Sequence, residues 1–141
     1  MLLVSGVMKV SDRRVHIVFC DVGQGDAQLI YQGLIQVLVD AGAKEERVLK
    51  CLGEHLPFWD RRIEMVISTH PDKDHVGGMD GVLRSYEVGL VVISDVEGKN
   101  GEYREVREEI KKQKIKVVEP MAGDRLRVGS LEFDVLSPDL E

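Results

Sequence analysis

The sequence contains little that is typical of membrane-embedded, disulfide-rich or nucleic-acid-binding chains. Its 141 residues include only two cysteines and 5% aromatic residues. No uncharged apolar run approaches the roughly 20 residues that a helix needs to cross a bilayer. The formal net charge is −6, whereas nucleic-acid binders are usually basic because neutralised phosphates supply most of their affinity. These absences exclude a membrane span in this sequence and disfavour binding of a polyanion unless metal ions supply positive charge.

The two cysteines lie in apolar surroundings, Cys20 in a predicted strand and Cys51 on a predicted helix. Neither has a second cysteine at the short spacing of a metal or redox motif. We therefore expect buried free thiols, and the sequence leaves the redox compartment open.

What is present is the composition of one globular domain, with 43% hydrophobic and 31% charged residues. We interpret residues 1–14 as a lead-in and residues 15–141 as the domain. The apolar stretch from Met1 to Met8 is too short for a membrane span and lacks the cleavage-site pattern of a signal peptide.

The apolar pattern predicts several short strands, followed by helices that alternate with strands. Val15 to Cys20 is apolar on nearly both faces, as expected of a central buried strand. The spacing of Val48, Leu52 and Leu56 predicts a helix that begins near Lys44 and ends at Pro57. This order predicts an α/β (α+β) fold, a mixed sheet with helices on one face. The other predicted strands are Ala27 to Tyr31, Leu34 to Val39, Ile63 to Ile67, Val88 to Ile93 and Ile115 to Val118, the other helices are Met79 to Tyr86 and Glu102 to Lys114, and a hairpin around Gly129-Ser130 ends the pattern.

Four candidate metal ligands occur within six residues, directly after a predicted strand: His70, Asp72, Asp74 and His75. Imidazoles and carboxylates suit zinc, manganese or iron. Neighbouring ligands such as Asp74 and His75 serve two adjacent ions more easily than one, and paired metals about 3.5–4 Å apart recur in hydrolases. The same residues also suit a surface turn or a helix N-cap. We favour two divalent ions, zinc or manganese, because both histidines and both aspartates occur together with Gly77-Gly78.

This stretch resembles the His-x-His-x-Asp-His motif of the metallo-β-lactamase superfamily, with Asp72 in the second histidine position. Together with the stretches Asp21-Val-Gly-Gln-Gly-Asp26 and Leu38-Val-Asp-Ala-Gly42, it is similar to the hydrolase domain of ComEC competence proteins. Those are bacterial inner-membrane channels for DNA uptake. The resemblance runs from about Val15 to Leu136 and implies the N-terminal half of a metallo-β-lactamase αββα sandwich.

The resemblance also implies roles for single residues. His70 and Asp72 would bind the first metal, and Asp74 and His75 the second. Asp74 would also orient the attacking water, which makes it the catalytic candidate. Asp40 would lie behind these ligands and accept hydrogen bonds that hold the ligand loop in register. The alternative is a turn aspartate after a strand.

A pocket role is implied for the residues of the first glycine-containing loop, Asp21, Gln24 and Asp26. The alternative is a tight loop between two strands, since Gly23-Gln24-Gly25 lacks the third glycine of a dinucleotide fingerprint.

The superfamily builds its site from two similar halves, so the resemblance implies at least two later histidines and a bridging aspartate. No histidine follows His75. Each metal would then have about two ligands from this chain, whereas catalytic zinc normally has three. We therefore expect a truncated chain or fragment, with an uncovered sheet face that favours self-association.

Three functions stay open. The first is a metal-dependent phosphodiesterase or nuclease related to ComEC, with DNA as the partner in the full-length family context. The second is an ester, thioester or lactam hydrolase of the same fold. The third is a non-catalytic fragment or interaction module with an incomplete metal site. The family context implies a domain associated with the bacterial inner membrane, while the localisation of this chain stays open.

Overall fold

The computed structural model describes residues 12–94 and 101–137, which form a six-stranded mixed sheet, a separate β-hairpin and four α-helices. The strands of the sheet are β1 (His16–Phe19), β2 (Gln28–Gln32), β3 (Ile35–Val39), β4 (Arg62–Ile67), β5 (Glu87–Val92) and β6 (Lys116–Val118). The helices are α1 (Glu45–His55), α2 (Lys73–Val76), α3 (Met79–Ser85) and α4 (Arg104–Gln113), the last preceded by a 3₁₀ turn (Gly101–Tyr103). The hairpin consists of β7 (Arg125–Val128) and β8 (Leu131–Asp134).

The strands of the sheet follow their order along the chain. The pairs β1–β2 and β2–β3 are antiparallel, and the pairs β3–β4, β4–β5 and β5–β6 are parallel. A loop of residues 20–27 joins β1 to β2 and a two-residue turn joins β2 to β3. The parallel strands are joined through helices, since parallel pairing requires a long crossover. The carboxyl ends of β3, β4 and β5 therefore meet at one edge of the sheet.

The helices lie on one face of the sheet, where their apolar stripes form the main core. Val48 and Leu52 of α1 and Val82 of α3 are fully buried there against sheet residues such as Leu38 and Val66. Two glutamates in the first turn of α1 complement its dipole, and the helix ends just before Pro57, which favours an extended residue ahead of it. The periodicity of the sequence thus predicted α1, α3 and α4 and the single face that helices cover, whereas the short helix α2 was not predicted.

The β7–β8 hairpin covers part of the opposite face. Leu131 packs there with Val37, Met65 and Val92, and all four side chains are buried. The two-residue Gly129-Ser130 loop that the sequence predicts is present, with Gly129 at φ +56°. Part of the face expected to be uncovered is therefore occupied by this hairpin.

The strand predicted to be central, β1, is an edge strand. It pairs only with β2 in the described part of the sheet. Val18 packs into the helix-side core, while Ile17 and Phe19 lie 57% and 78% exposed. Apolar residues on both faces of a strand indicate burial only if a layer covers each face. Here the hairpin does not cover the face of β1 that carries Ile17 and Phe19.

The expectation of free thiols is wrong, because Cys20 and Cys51 form a disulfide. The bond joins the end of β1 to the middle of α1, with 5.7 Å between the two Cα atoms and a sequence separation of 31. Packing of α1 on the sheet brings the two residues together, a contact that no local spacing motif could indicate.

Two expectations extend beyond the described residues. Most of the lead-in, residues 1–11, and the last four residues, 138–141, lie outside them. Within the described ranges, none of the helices has the length and apolar content needed to cross a bilayer.

Candidate metal-binding site

The candidate ligands lie on the loop that follows β4, at the edge where the parallel strands end. Ser68 donates its N–H to Val92 O at 2.9 Å, and Asp40, just after β3, donates its N–H to Ile67 O at 2.8 Å. The ends of three strands thus hold the start of the ligand loop. Short helix α2 then carries Asp74 and His75 on consecutive positions.

Asp40 organises the ligand loop through one buried carboxylate. Its side chain is 2% exposed and accepts the Thr69 N–H at 2.8 Å, the Thr69 hydroxyl at 2.5 Å and the His75 Nδ1 at 3.0 Å. The residue has φ +58°, a conformation that aspartate tolerates better than most side chains. A carboxylate on Nδ1 orients the imidazole and leaves Nε2 available, which is the usual arrangement behind a metal-binding histidine.

The hydrogen bond from Asp40 raises the pKa of His75 above its ordinary value of 6.5. Partial burial opposes this effect, and the charges of Asp40, Asp74 and Asp26 add to it. In the metal-free protein these three carboxylates therefore favour a positively charged ring, and a cation at Nε2 would replace the proton.

The four candidate ligands form two pairs. Nε2 of His75 lies 3.9 Å from Oδ1 of Asp74, and Nδ1 of His70 lies 3.3 Å from Oδ2 of Asp72. The two imidazole rings are 5.8 Å apart between centroids. His70 and Asp72 are exposed, whereas Asp74 and His75 are half-buried.

The donor types fit a divalent cation, but the number of donors does not complete a site. Among residues 12–94 and 101–137, no group of three or more histidine, cysteine, aspartate or glutamate side chains converges on one point. Catalytic zinc normally has three protein ligands. The described residues therefore place the four candidate ligands in two pairs, their role as metal ligands stays a prediction, and a closed centre would need further donors.

The first glycine-containing loop lies against the ligand loop. The Asp26 N–H approaches Asp74 O at 3.3 Å, and Gln24 borders a cleft of about 550 Å³ shared with Asp72 and Asp74. Asp21 lies apart from this cleft, 95% exposed and 3.9 Å from Arg47. The structure thus brings Gln24 and Asp26 towards the candidate ligands and leaves Asp21 on the surface.

A larger cleft of about 680 Å³ borders His70 on the side away from α2. Its walls come from the second face of the sheet and from the hairpin, and they include Ile30, Ile67 and Phe133. The mouth of this apolar cleft therefore opens beside one of the two ligand pairs, where part of a bound molecule can be accommodated.

Three further residues shape the loop, and no sequence pattern marks them for this role. Thr69 links it to Asp40, Tyr103 approaches the Ser68 hydroxyl at 2.9 Å between oxygens, and Gly25 contacts the backbone of Asp74. Thr69 lies next to the first candidate ligand, His70, but its partner Asp40 is distant in sequence and reaches it only because β3 and β4 are adjacent. Tyr103 reaches the site from a distant turn, which local spacing does not indicate.

Comparison with known proteins agrees with this architecture. No protein-family model matches the chain. ComE operon protein 3 of Bacillus subtilis (strain 168) is 28% identical over 138 residues, which cover 84% of this chain and 18% of that protein. The chain thus corresponds to a small part of this curated relative.

Solved structures of low identity share the fold. A metallo-β-lactamase of Cronobacter sakazakii with a HARLDQ motif matches with a TM-score of 0.58 at 15% identity, over 91% of this chain and 54% of that one. The metallo-β-lactamase fold protein YhfI from Bacillus subtilis matches with a TM-score of 0.55 at 18% identity, over 82% and 48%. The chain therefore has the metallo-β-lactamase fold and spans about half the length of these neighbours, which confirms the predicted half-sandwich.

Proposed function

We propose that this chain is the N-terminal half of a metal-dependent phosphodiesterase, a nuclease that acts in DNA uptake. The observation that carries the proposal is the Asp40–His75 contact, which presents Nε2 of a histidine next to the carboxylate of Asp74. His70 and Asp72 would hold one divalent cation, and Asp74 and His75 a second, each completed by donors beyond the described residues. The likeness to ComE operon protein 3 supports the competence context.

A bound pair of divalent cations would supply polarisation of the phosphoryl group and activation of water for attack. The residues of this chain would provide the framework. Asp40 keeps the His75 ring in one orientation, and the Asp74 carboxylate lies beside that ring. The ends of β4 and β5 fix the start of the loop. The cations would also offset the net negative charge of the chain, which otherwise repels a polyanion such as DNA.

A nuclease assay with Mn²⁺ or Zn²⁺ tests the proposal on the protein extended through the second half of the fold. Cleavage of single- and double-stranded DNA should require the metal and should fall at least about a hundredfold in His75→Ala, because a ligand is lost. His55→Ala is the matched control, since His55 lies in the last turn of α1 away from the ligand loop. Cleavage that survives His75→Ala would remove the two-metal proposal. Hydrolysis of a thioester or lactam without DNA cleavage would favour the other hydrolase class.

A second candidate, an interaction module that self-associates, is favoured by the exposed edge strand β1. Ile17 and Phe19 present their apolar side chains to solvent on β1, which is an edge strand within the described part of the sheet, and such edges pair readily with other strands. Phe19→Glu should lower the molar mass measured by light scattering if the chain self-associates there. A wild-type chain that is monomeric at high concentration would remove this candidate.

A further inference from the structure

The loop between β1 and β2, here called the Cys20–Asp26 loop, packs on the ligand loop by backbone contact. Gly25 has φ +98°, and a Cβ atom built on it would lie 1.7 Å from Asp74 O. Since real Cβ atoms essentially never approach within 3.0 Å, any side chain here would force the two loops apart by at least 1.3 Å, the difference between the two distances. Only glycine permits the observed approach.

Further contacts hold the same loop in place on its other side. The Cys20–Cys51 disulfide ties its first residue to α1. Val22, 4% exposed, packs where a Cβ on Gly42 would lie only 2.7 Å away. The Gly42 N–H donates to Asp26 O at 2.9 Å, and the Asp26 N–H in turn donates to Asp74 O at 3.3 Å. The loop is therefore fixed at both ends and presses on one backbone carbonyl.

We propose that the Cys20–Asp26 loop is a positioning element for Asp74: Gly25 and Asp26 set the backbone of Asp74, and the disulfide anchors the loop that carries them. This inference rests on the proposed function in one respect, namely that Asp74 is a metal ligand. Metal–ligand distances vary by only about 0.2 Å in a good site, so a displacement of 1.3 Å is large enough to misplace the carboxylate.

Comparison with a second glycine variant separates the positioning role from a general loss of stability. Gly123 provides a matched control, because it also has positive φ, +93°, and a Cβ there would meet nothing within 4 Å. Alanine at either position incurs the same backbone cost, but only Gly25→Ala disturbs Asp74. Any difference between the two variants in metal binding therefore reports the contact and not the backbone strain.

The experiment titrates the protein extended through the second half of the fold with Mn²⁺ and Zn²⁺ by calorimetry, with circular dichroism to verify folding. Gly25→Ala should bind about 10–100-fold more weakly, the range seen when residues behind metal ligands are changed. Gly123→Ala should bind within about twofold of wild type. A folded Gly25→Ala variant with wild-type affinity would overturn the inference.

Hydrogen exchange provides a second measurement that needs no metal. In Gly25→Ala, amides of residues 70–77 should exchange faster than in wild type, while those of the β7–β8 hairpin should be unchanged. If Gly25→Ala does not fold, Cys20→Ser/Cys51→Ser replaces it. Loss of the disulfide lowers the stability of the whole protein, so exchange at residues 70–77 should rise by more than exchange in the β7–β8 hairpin. Unchanged protection of residues 70–77 in a folded variant would refute positioning. Absence of metal binding in the wild-type extended protein would instead count against the proposed function, and the exchange data would still decide the inference.

Discussion

Replacing Asp40 by alanine should destabilise the protein by several kilocalories per mole, because one carboxylate holds three groups of the ligand loop. The side chain is almost fully buried and accepts hydrogen bonds from the Thr69 amide, the Thr69 hydroxyl and the His75 ring. Among the described residues, the Asp40 carboxylate is the acceptor of the Thr69 amide. Its loss would therefore leave that amide, at the start of the loop, without its acceptor.

The magnitude follows from the number of bonds and from the backbone conformation. Three hydrogen bonds at about 1 kcal/mol net each give about 3 kcal/mol. The φ of +58° at Asp40 adds about 1 kcal/mol for alanine, which lacks the tolerance of aspartate for this region. Asp40→Ala should thus lower the free energy of unfolding by about 4 kcal/mol. Asp40→Asn tolerates the backbone and keeps one acceptor, so its cost should be about 2 kcal/mol.

Urea unfolding at neutral pH with a chelator present measures both values without a contribution from bound metal. Asp21→Ala is the control, because Asp21 is an exposed aspartate whose loss should change stability by no more than about 0.5 kcal/mol. A loss below about 1 kcal/mol for Asp40→Ala would refute the account of Asp40 as the organiser of the loop.

Two other predictions concern pH and the disulfide. The pKa of His75 is raised in the folded protein by Asp40, so the contribution of this pair should be complete below about pH 6.5, the unfolded value. It should decline as pH rises through the higher folded pKa, and chelator-treated His75→Gln should lack this decline when unfolding is followed between pH 6 and pH 9. Removing the disulfide by Cys20→Ser/Cys51→Ser should lower the free energy of unfolding by about 3–4 kcal/mol, since the bonded pair has a sequence separation of 31. A loss under about 1 kcal/mol would contradict the expected stabilisation by the disulfide. A free-thiol assay on denatured wild type should find no thiol.

Helices and most strands could be predicted from the sequence because their apolar patterns are local. Helix α1 was expected from Lys44 to Pro57 and spans Glu45–His55. The predicted hairpin loop Gly129-Ser130 is also present. Where the prediction failed, the deciding feature was the environment of an element: β1 has the composition of a central strand, but no strand of the described sheet lies on its outer side.

For the site, the sequence indicated which residue types lie together on one loop, but not what holds them. The four candidate ligands are close in sequence, so their clustering is a local property. Asp40, Gly25 and the disulfide act across 31 to 49 residues, and only the parallel β3–β4 pairing and the packing of α1 bring them to the loop. Long-range contacts of this kind leave no spacing pattern in a single sequence.

The most direct test of the central claim, that the His70–His75 loop binds divalent metal, is the metal content of the purified protein, extended through the second half of the fold, after equilibrium dialysis against Zn²⁺ or Mn²⁺. Wild type and His55→Ala should retain metal, whereas His75→Ala should lose at least half of it while remaining folded by circular dichroism. Equal metal content in wild type and His75→Ala, or none in either, would contradict the claim.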